Sequence, residues 1–161
     1  MSNFEESFAR LIGHEGGYQS PEEAIEAKDP GGETNFGISR RSYPKEDIKG
    51  MTLERAKALY LRDFWGPTGC DCVPPGVKYA LFDFAVNSGP RTAAKFLQRV
   101  VGVAEDGSIG PMTLQAVNSM QPERLTARFY GHRLELMTTL VNWTQSGRGW
   151  ARRVAAELKE I

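Results

Sequence analysis

The run Val77-Lys78-Tyr79-Ala80-Leu81-Phe82-Asp83-Phe84-Ala85-Val86-Asn87-Ser88 is the strongest constraint on what this chain folds into. Val77, Ala80, Leu81, Phe84 and Ala85 recur at helical spacing and form a stripe too wide for a surface helix, so the segment predicts a helix at the centre of the fold. Gly89-Pro90 ends it. Other periodic segments supply the helices around it. Phe4, Phe8, Leu11 and Ile12 share one helical face, which Gly16-Gly17 stops. Thr52 suits the N-cap of a helix running to about Trp65, with Leu53, Ala56, Tyr60 and Phe64 inward. Residues 91–101 make the next helix, burying Ala93, Phe96, Leu97 and Val100. Pro111 and Pro122 each suit the first helical position, opening helices to about Met120 and to Leu140 or Val141. A last helix spans roughly 149–158. Residues 19–51 are rich in Gly, Pro, Asp and Asn and read as loop, with a short hairpin around residues 34–38. Residues 67–76 read as a connector. The fold class is mainly α. The softest boundary falls between Ser88 and Arg91, giving a region 1–90 that holds the chemistry and a helical region 91–161 packed on it, either as two parts or as one domain.

A chain of 161 residues can bury a hydrophobic core without staples. Lys plus Arg equal Asp plus Glu at 20 each, so net charge points to no partner and gives no reason to expect nucleic acid. Charge is locally uneven: residues 22–26 are acidic, and Arg148, Arg152 and Arg153 make a basic cluster, read either as a solvated helix face or as a face for an anionic polymer. Cys70 and Cys72 are separated by one residue, too tight for an ordinary disulfide, and are read as reduced structural or surface thiols. With His scarce and no second Cys pair, no metal or other cofactor is expected. The N-terminus has no basic or apolar leader, and no stretch approaches the ~20 apolar residues of a membrane span. The expectation is a monomer without stable membrane insertion that accumulates in the cytoplasm.

The chemistry concentrates near the N-terminus. Glu15, in His14-Glu15-Gly16-Gly17-Tyr18, falls at the end of the first expected helix. Partial desolvation and the helix dipole there both favour a protonated carboxyl, the state a glycosidase proton donor needs; the plainer reading is an exposed helix-end Glu. Asp29, before Pro30-Gly31-Gly32, is a second carboxylate held by a turn, or an ordinary turn Asp. Thr34 and Asn35 can orient a water or a sugar hydroxyl, or bond their own backbone. His14 can neighbour the acid or serve as a structural hydrogen-bonder. Tyr18, Phe36 and Trp65 offer sugar-stacking walls or core packing, and Tyr18, on the loop, suits stacking best. The Asn87 amide can bind an N-acetyl group or cap its helix. Tyr130, His132 and Arg133 can line a cleft, against default core and surface roles. Two carboxyl groups and a water suffice for glycosidic-bond hydrolysis. No P-loop, Gly-x-Ser-x-Gly or His-Glu-x-x-His pattern is present.

Several strings together resemble glycoside hydrolase family 108, the phage-type N-acetylmuramidases and relatives described as secretion activators. They are Glu15-Gly16-Gly17-Tyr18, Asp29-Pro30-Gly31-Gly32, Thr34-Asn35-Phe36-Gly37-Ile38, Tyr60, Trp65 and Phe82-Asp83-Phe84-Ala85-Val86-Asn87-Ser88-Gly89. Leu97-Gln98 is a further match to the family, after which Asp106-Gly107 through Gly110-Pro111, with Thr113, and Gly149-Trp150 resemble the peptidoglycan-binding region that follows in it. The resemblance implies a lysozyme-like α fold, with a loop and hairpin near the active site. It implies cleavage of the β-1,4 bond between N-acetylmuramic acid and N-acetylglucosamine in bacterial peptidoglycan. Glu15 matches the catalytic Glu, and Asp29 and Thr34 look like the Asp and Thr of the Glu-Asp-Thr arrangement of phage lysozymes. Residues 19–28 are longer than the family's usual spacing and add Glu22, Glu23 and Glu26 as further carboxylates. His14, Tyr18, Asn35, Asn87 and Tyr130 are the expected substrate contacts. The implied role is an endolysin reaching the wall after a membrane lesion such as a holin makes. The rivals are a lytic transglycosylase and a non-catalytic peptidoglycan-binding or secretion-assisting protein.

Overall fold

The computed structural model describes residues 3–13, 17–26 and 31–159. The chain divides between Asp63 and Phe64 into two compact units, Asn3 grouping with the second.

The N-terminal unit opens with α1 (Phe4–Gly13), which buries Ser7, Phe8 and Leu11. The Phe8 ring meets Tyr60 with centroids 5.6 Å apart. A second helix, α2 (Pro21–Glu26), stands where loop is expected. Its start is a reciprocal cap: the Ser20 N–H donates to Glu23 and the Glu23 N–H donates back to the Ser20 hydroxyl. The hairpin expected around residues 34–38 is present as β1 (Thr34–Asn35) and β2 (Ile38–Ser39), antiparallel, with Thr34 opposite Ser39 and Asn35 opposite Ile38. Phe36 and Gly37 between them have φ of 49° and 74°, the pair of positive values that a two-residue type I′ turn requires. Glycine takes this backbone freely; Phe36 does so at a cost, and the Tyr60 hydroxyl donates to its carbonyl at 3.1 Å.

Thr52 caps α3 (Leu53–Tyr60), its hydroxyl accepting from the Arg55 N–H. Leu53, expected inward, is 43% exposed; it occupies the first helical position, and Leu59 fills the core with Ala56 and Tyr60. Past Tyr60 the helix loosens into one π-helical turn (Leu61–Trp65), within which the boundary between the units falls.

In the C-terminal unit the expected connector contains the short helix α4 (Gly66–Thr68) and a 3₁₀ turn (Cys70–Cys72). The central helix is α5 (Pro75–Ser88), with Val77, Ala80, Leu81, Phe82 and Ala85 fully inside. It packs against α6 (Pro90–Val101) and α8 (Pro122–Thr138). Phe84 stacks on Phe96 at 4.5 Å, and Phe129 of α8 meets both rings edge-on. Burying each such ring contributes roughly 1.5–3 kcal/mol. Trp65 joins this core, 1% exposed and edge-on to Phe82, so its role is packing. The remaining helices are α7 (Pro111–Asn118) and α9 (Trp143–Leu158), the latter starting six residues before the expected position and packing on α8. Gly147 explains that early start: any Cβ there would lie 2.7 Å from the Trp143 ring, so the glycine admits Trp143 against the helix.

Candidate active site

Glu15, the expected acid, lies two residues beyond the last residue of α1, and Asp29 three residues beyond the end of α2. Both, with His14, lie outside the described residues. The structure describes what flanks them in the N-terminal unit. Gln19 and Thr34 exchange both backbone hydrogen bonds, at 2.8 and 3.1 Å, so the strand-like segment after Tyr18 is tied to the hairpin. Arg41 N–H donates to the Gly31 carbonyl and Arg40 N–H to the Glu33 carbonyl, which tie the segment after Pro30 to the same hairpin.

Glu33 is the hub of this frame, and sequence reasoning missed it. Its side chain is only 12% exposed. One carboxylate oxygen accepts from the Tyr18 hydroxyl at 3.0 Å. The other accepts from Arg40 Nη2 at 2.8 Å and Nε at 3.2 Å. Arg40 also donates to the Glu46 carbonyl, and Arg55 donates to the Glu46 carboxylate through Nε and Nη2. A hydrogen-bonded chain thus runs Tyr18–Glu33–Arg40–Glu46–Arg55, with ion pairs at Glu33–Arg40 and Glu46–Arg55 and the Glu46 carbonyl as the link between them. Burial, then the bond to Glu33, pushes the Tyr18 hydroxyl above its ordinary pKa, so it stays a neutral donor. The available cue was the placement of Glu33 directly before Thr34, in a turn whose only other acid was Asp29. An open cavity of about 630 Å³ lies against α2 and the hairpin, lined by Ala24, Ile25, Gly32, Glu33, Arg40 and Arg41 among others.

Tyr18 is 38% exposed, able to offer ring surface while its hydroxyl is held. Thr34 donates its hydroxyl to the Gly32 carbonyl at 3.0 Å, fixing the turn before it. Asn35 is buried, its amide donating to the carbonyls of Ile48 and Lys49. Tyr18, Thr34 and Asn35 therefore share the N-terminal unit, whereas Asn87 and Tyr130 belong to the C-terminal one. Tyr130 is 3% exposed and its hydroxyl is committed to Glu157 at 3.0 Å. Asn87 is exposed at the end of α5, where its amide nitrogen donates back to the Asp83 carbonyl at 2.7 Å. Beneath it, Asp83 is 1% exposed and binds both Arg133 and Arg153. His132 faces Glu135 at 3.7 Å on α8.

In the C-terminal unit the segment from Asp106 to Thr113 is organised by the buried amide of Gln98. Its nitrogen donates to Asp106 Oδ1 at 2.7 Å, the Ser108 carbonyl at 3.0 Å and Thr113 Oγ1 at 3.1 Å, and its oxygen accepts from the Gly107 N–H at 2.8 Å. Among the described residues no group of three or more His, Cys, Asp and Glu could hold a metal ion, and no helix is long and apolar enough to cross a membrane.

Comparison with known proteins assigns this frame. The family model described as Glycosyl hydrolase 108 matches residues 8–89, and one described as Predicted Peptidoglycan domain matches residues 92–155. The chain belongs to the glycosyl hydrolase 108 family. The structure of SagA from Brucella abortus is similar to it over 98% of this chain and 92% of that one, at 34% identity and a TM-score of 0.85. No curated protein matches. The family 108 chain has the mainly helical, lysozyme-like fold with its small antiparallel hairpin. Its two matched regions make it a glycoside hydrolase with peptidoglycan as substrate. Gln98, Asp106, Gly107 and Thr113, which lie within the second matched region, are held to one another in the structure.

Proposed function

We propose that this chain is an N-acetylmuramidase that hydrolyses the β-1,4 bond between N-acetylmuramic acid and N-acetylglucosamine. The observation that carries the reading is the family match over residues 8–89, which spans Glu15, Asp29 and Thr34 together. Glu15 protonates the glycosidic oxygen as general acid. Asp29 positions the attacking water or stabilises positive charge on the sugar, with Thr34 assisting. Tyr18 supplies a ring face, and its hydroxyl is kept neutral and oriented by Glu33. His14 and Asn87 are substrate contacts. Asn35, held by Ile48 and Lys49 in the N-terminal unit, and Tyr130, held by Glu157 in the C-terminal unit, are further proposed substrate contacts of their own units. The biological role we infer is that of a phage-type endolysin. It acts as a monomer, accumulates in the host cytoplasm and lyses the wall once a holin-like partner has opened the membrane.

The test is digestion of purified peptidoglycan by wild type and Glu15→Gln, with mass analysis of the fragments. Reducing N-acetylmuramic ends from wild type alone are expected. Anhydro-muramic ends would make the enzyme a transglycosylase. No fragments from either protein would leave a binding or secretion-assisting role.

A further inference from the structure

A cavity of about 300 Å³ opens in the C-terminal unit between the end of α5, the second half of α8 and the middle of α9. That is the lower end of the range for small-ligand pockets. Phe84, Leu136 and Met137 line it with apolar surface, Asn87 and Ser88 supply polar groups, and Trp150 contributes an indole. We propose that this cavity is a subsite for one N-acetylhexosamine unit of a glycan, with the sugar face on Trp150 and the acetamido N–H on Asn87 Oδ1.

Three features set the chemistry. The charges lining the cavity are already answered. Arg133 and Arg153 both bind the buried Asp83 carboxylate, and Glu157, also buried, binds Tyr130 on the same helices. Both guanidinium groups that line the cavity are thus held by the one Asp83 carboxylate, which leaves the Asn87 amide to select a neutral polar group. Next, the Asn87 amide is oriented by its donor bond to the Asp83 carbonyl, and its Oδ1 has no partner among the described residues. A fixed acceptor beside apolar surface fits an acetamido group, which presents an N–H and a methyl together. Third, Trp150 is half-buried and pairs with Trp143 at 6.3 Å between centroids. Trp143 in turn lines a second cavity of about 330 Å³ with Thr144, Gly147 and Arg148. Adjacent cavities joined by a tryptophan pair suit consecutive sugars of a chain. Asn87 lies in the first matched family region and Trp150 in the second, and both line this one cavity.

The proposal rests on the reading that the substrate is an N-acetylated glycan, and its test separates the two. Full-length Glu15→Gln protein, labelled with ¹³C at the methionine methyl groups and ¹⁵N at the tryptophan indoles, is titrated with tri-N-acetylchitotriose and, separately, with cellotriose, which lacks acetamido groups. The Met137 methyl and Trp150 indole N–H signals are expected to shift with the first and not the second. Adding Asn87→Ala or Trp150→Ala should weaken that binding about tenfold, with thermal unfolding as the check that each variant folds. Absence of the shift, or an equal shift with cellotriose, overturns the subsite. So does unchanged affinity in folded Asn87→Ala and Trp150→Ala variants. Peptidoglycan digestion by wild type without the Met137 shift would sink the subsite and leave the hydrolase standing; the shift without digestion would do the reverse.

Discussion

Ser20 and Glu23 cap each other: the Ser20 N–H donates to Glu23 Oε2 at 2.7 Å, and the Glu23 N–H donates to Ser20 Oγ at 3.3 Å. This gives one of the three extra carboxylates in residues 19–28 a structural task at the start of α2. Glu22, in the same first turn, is held below the usual carboxylate range, first by its own backbone N–H and then by Ser20. Glu23→Gln should therefore retain most lytic activity and Asp29→Asn should lose most of it. Turbidity loss of a cell-wall suspension ranks the two. The opposite order would mean that the longer segment has supplied the partner carboxylate.

Glu33 makes the second prediction. Glu33→Gln keeps the size and one acceptor but removes the charge that draws in both Tyr18 and Arg40. The pair with Arg40, itself well exposed, contributes little stability. The expected outcome is a small change in unfolding temperature and a severalfold drop in kcat/KM. A Tyr18→Phe variant should show much of the same loss, because it cuts the same link. Normal kinetics in Glu33→Gln would reduce the Tyr18–Glu33–Arg40 chain to a surface feature.

How much of this was legible in the sequence differs from element to element. The central α5, the Pro-initiated helices and the hairpin were readable because proline, glycine and apolar spacing coincide there. Helix α2 was not readable from periodicity, since Ala24 is its one buried residue. The cue was Ser20-Pro21-Glu22-Glu23, a capping pattern with proline at the first helical position. The early start of α9 escaped because Gly147 and Gly149 lower helix propensity, and packing of Trp143 over Gly147 overrides that. At the site, Thr34, Asn35 and Tyr18 stood out as polar loop residues. Glu33 did not, because its importance lies in Arg40 and Glu46, distant partners that only the folded hairpin brings together.

The cysteines should differ in reactivity. Cys70 is fully buried, and that burial pushes its thiol well above the ordinary range, while Cys72 is exposed. A thiol reagent should modify Cys72 alone in the native protein and both residues in denaturant. Cys72→Ser should leave activity and stability near wild type, whereas Cys70→Ser places a hydroxyl in an apolar site and should cost about 1–3 kcal/mol. Native labelling of both residues would contradict the burial of Cys70.

Gly107 tests the turn built around Gln98. Its φ of +81° favours glycine, and a Cβ there would lie 2.7 Å from the Arg91 side chain. Arg91 can yield, but the backbone conformation cannot be adopted by alanine without strain. Gly107→Ala should lower stability by about 1–2 kcal/mol. Gln98→Leu should cost more, because it strands the Gly107 N–H and Thr113 Oγ1 inside the structure. Chemical denaturation of the two variants gives the ranking.

The same turn carries a pH dependence. Its Asp106 carboxylate is held below the ordinary range, first by the Gln98 amide and then by the Ser108 N–H. A folded pKa below the unfolded one stabilises the protein above the unfolded value, and that stability is lost as pH falls through the folded value. Asp63, lowered chiefly by Arg62, and Glu105, lowered chiefly by Arg99, act in the same direction. Unfolding temperature should therefore stay level above roughly pH 5 and fall steadily below it, because all three groups then bind more protons unfolded than folded. Asp106→Asn should be less stable than wild type at neutral pH and should lose less on acidification, so the two curves converge as pH falls through the lowered folded pKa of Asp106. Parallel curves over that interval would mean that Asp106 has the same proton affinity in both states and that the Gln98 bond does not favour its charge.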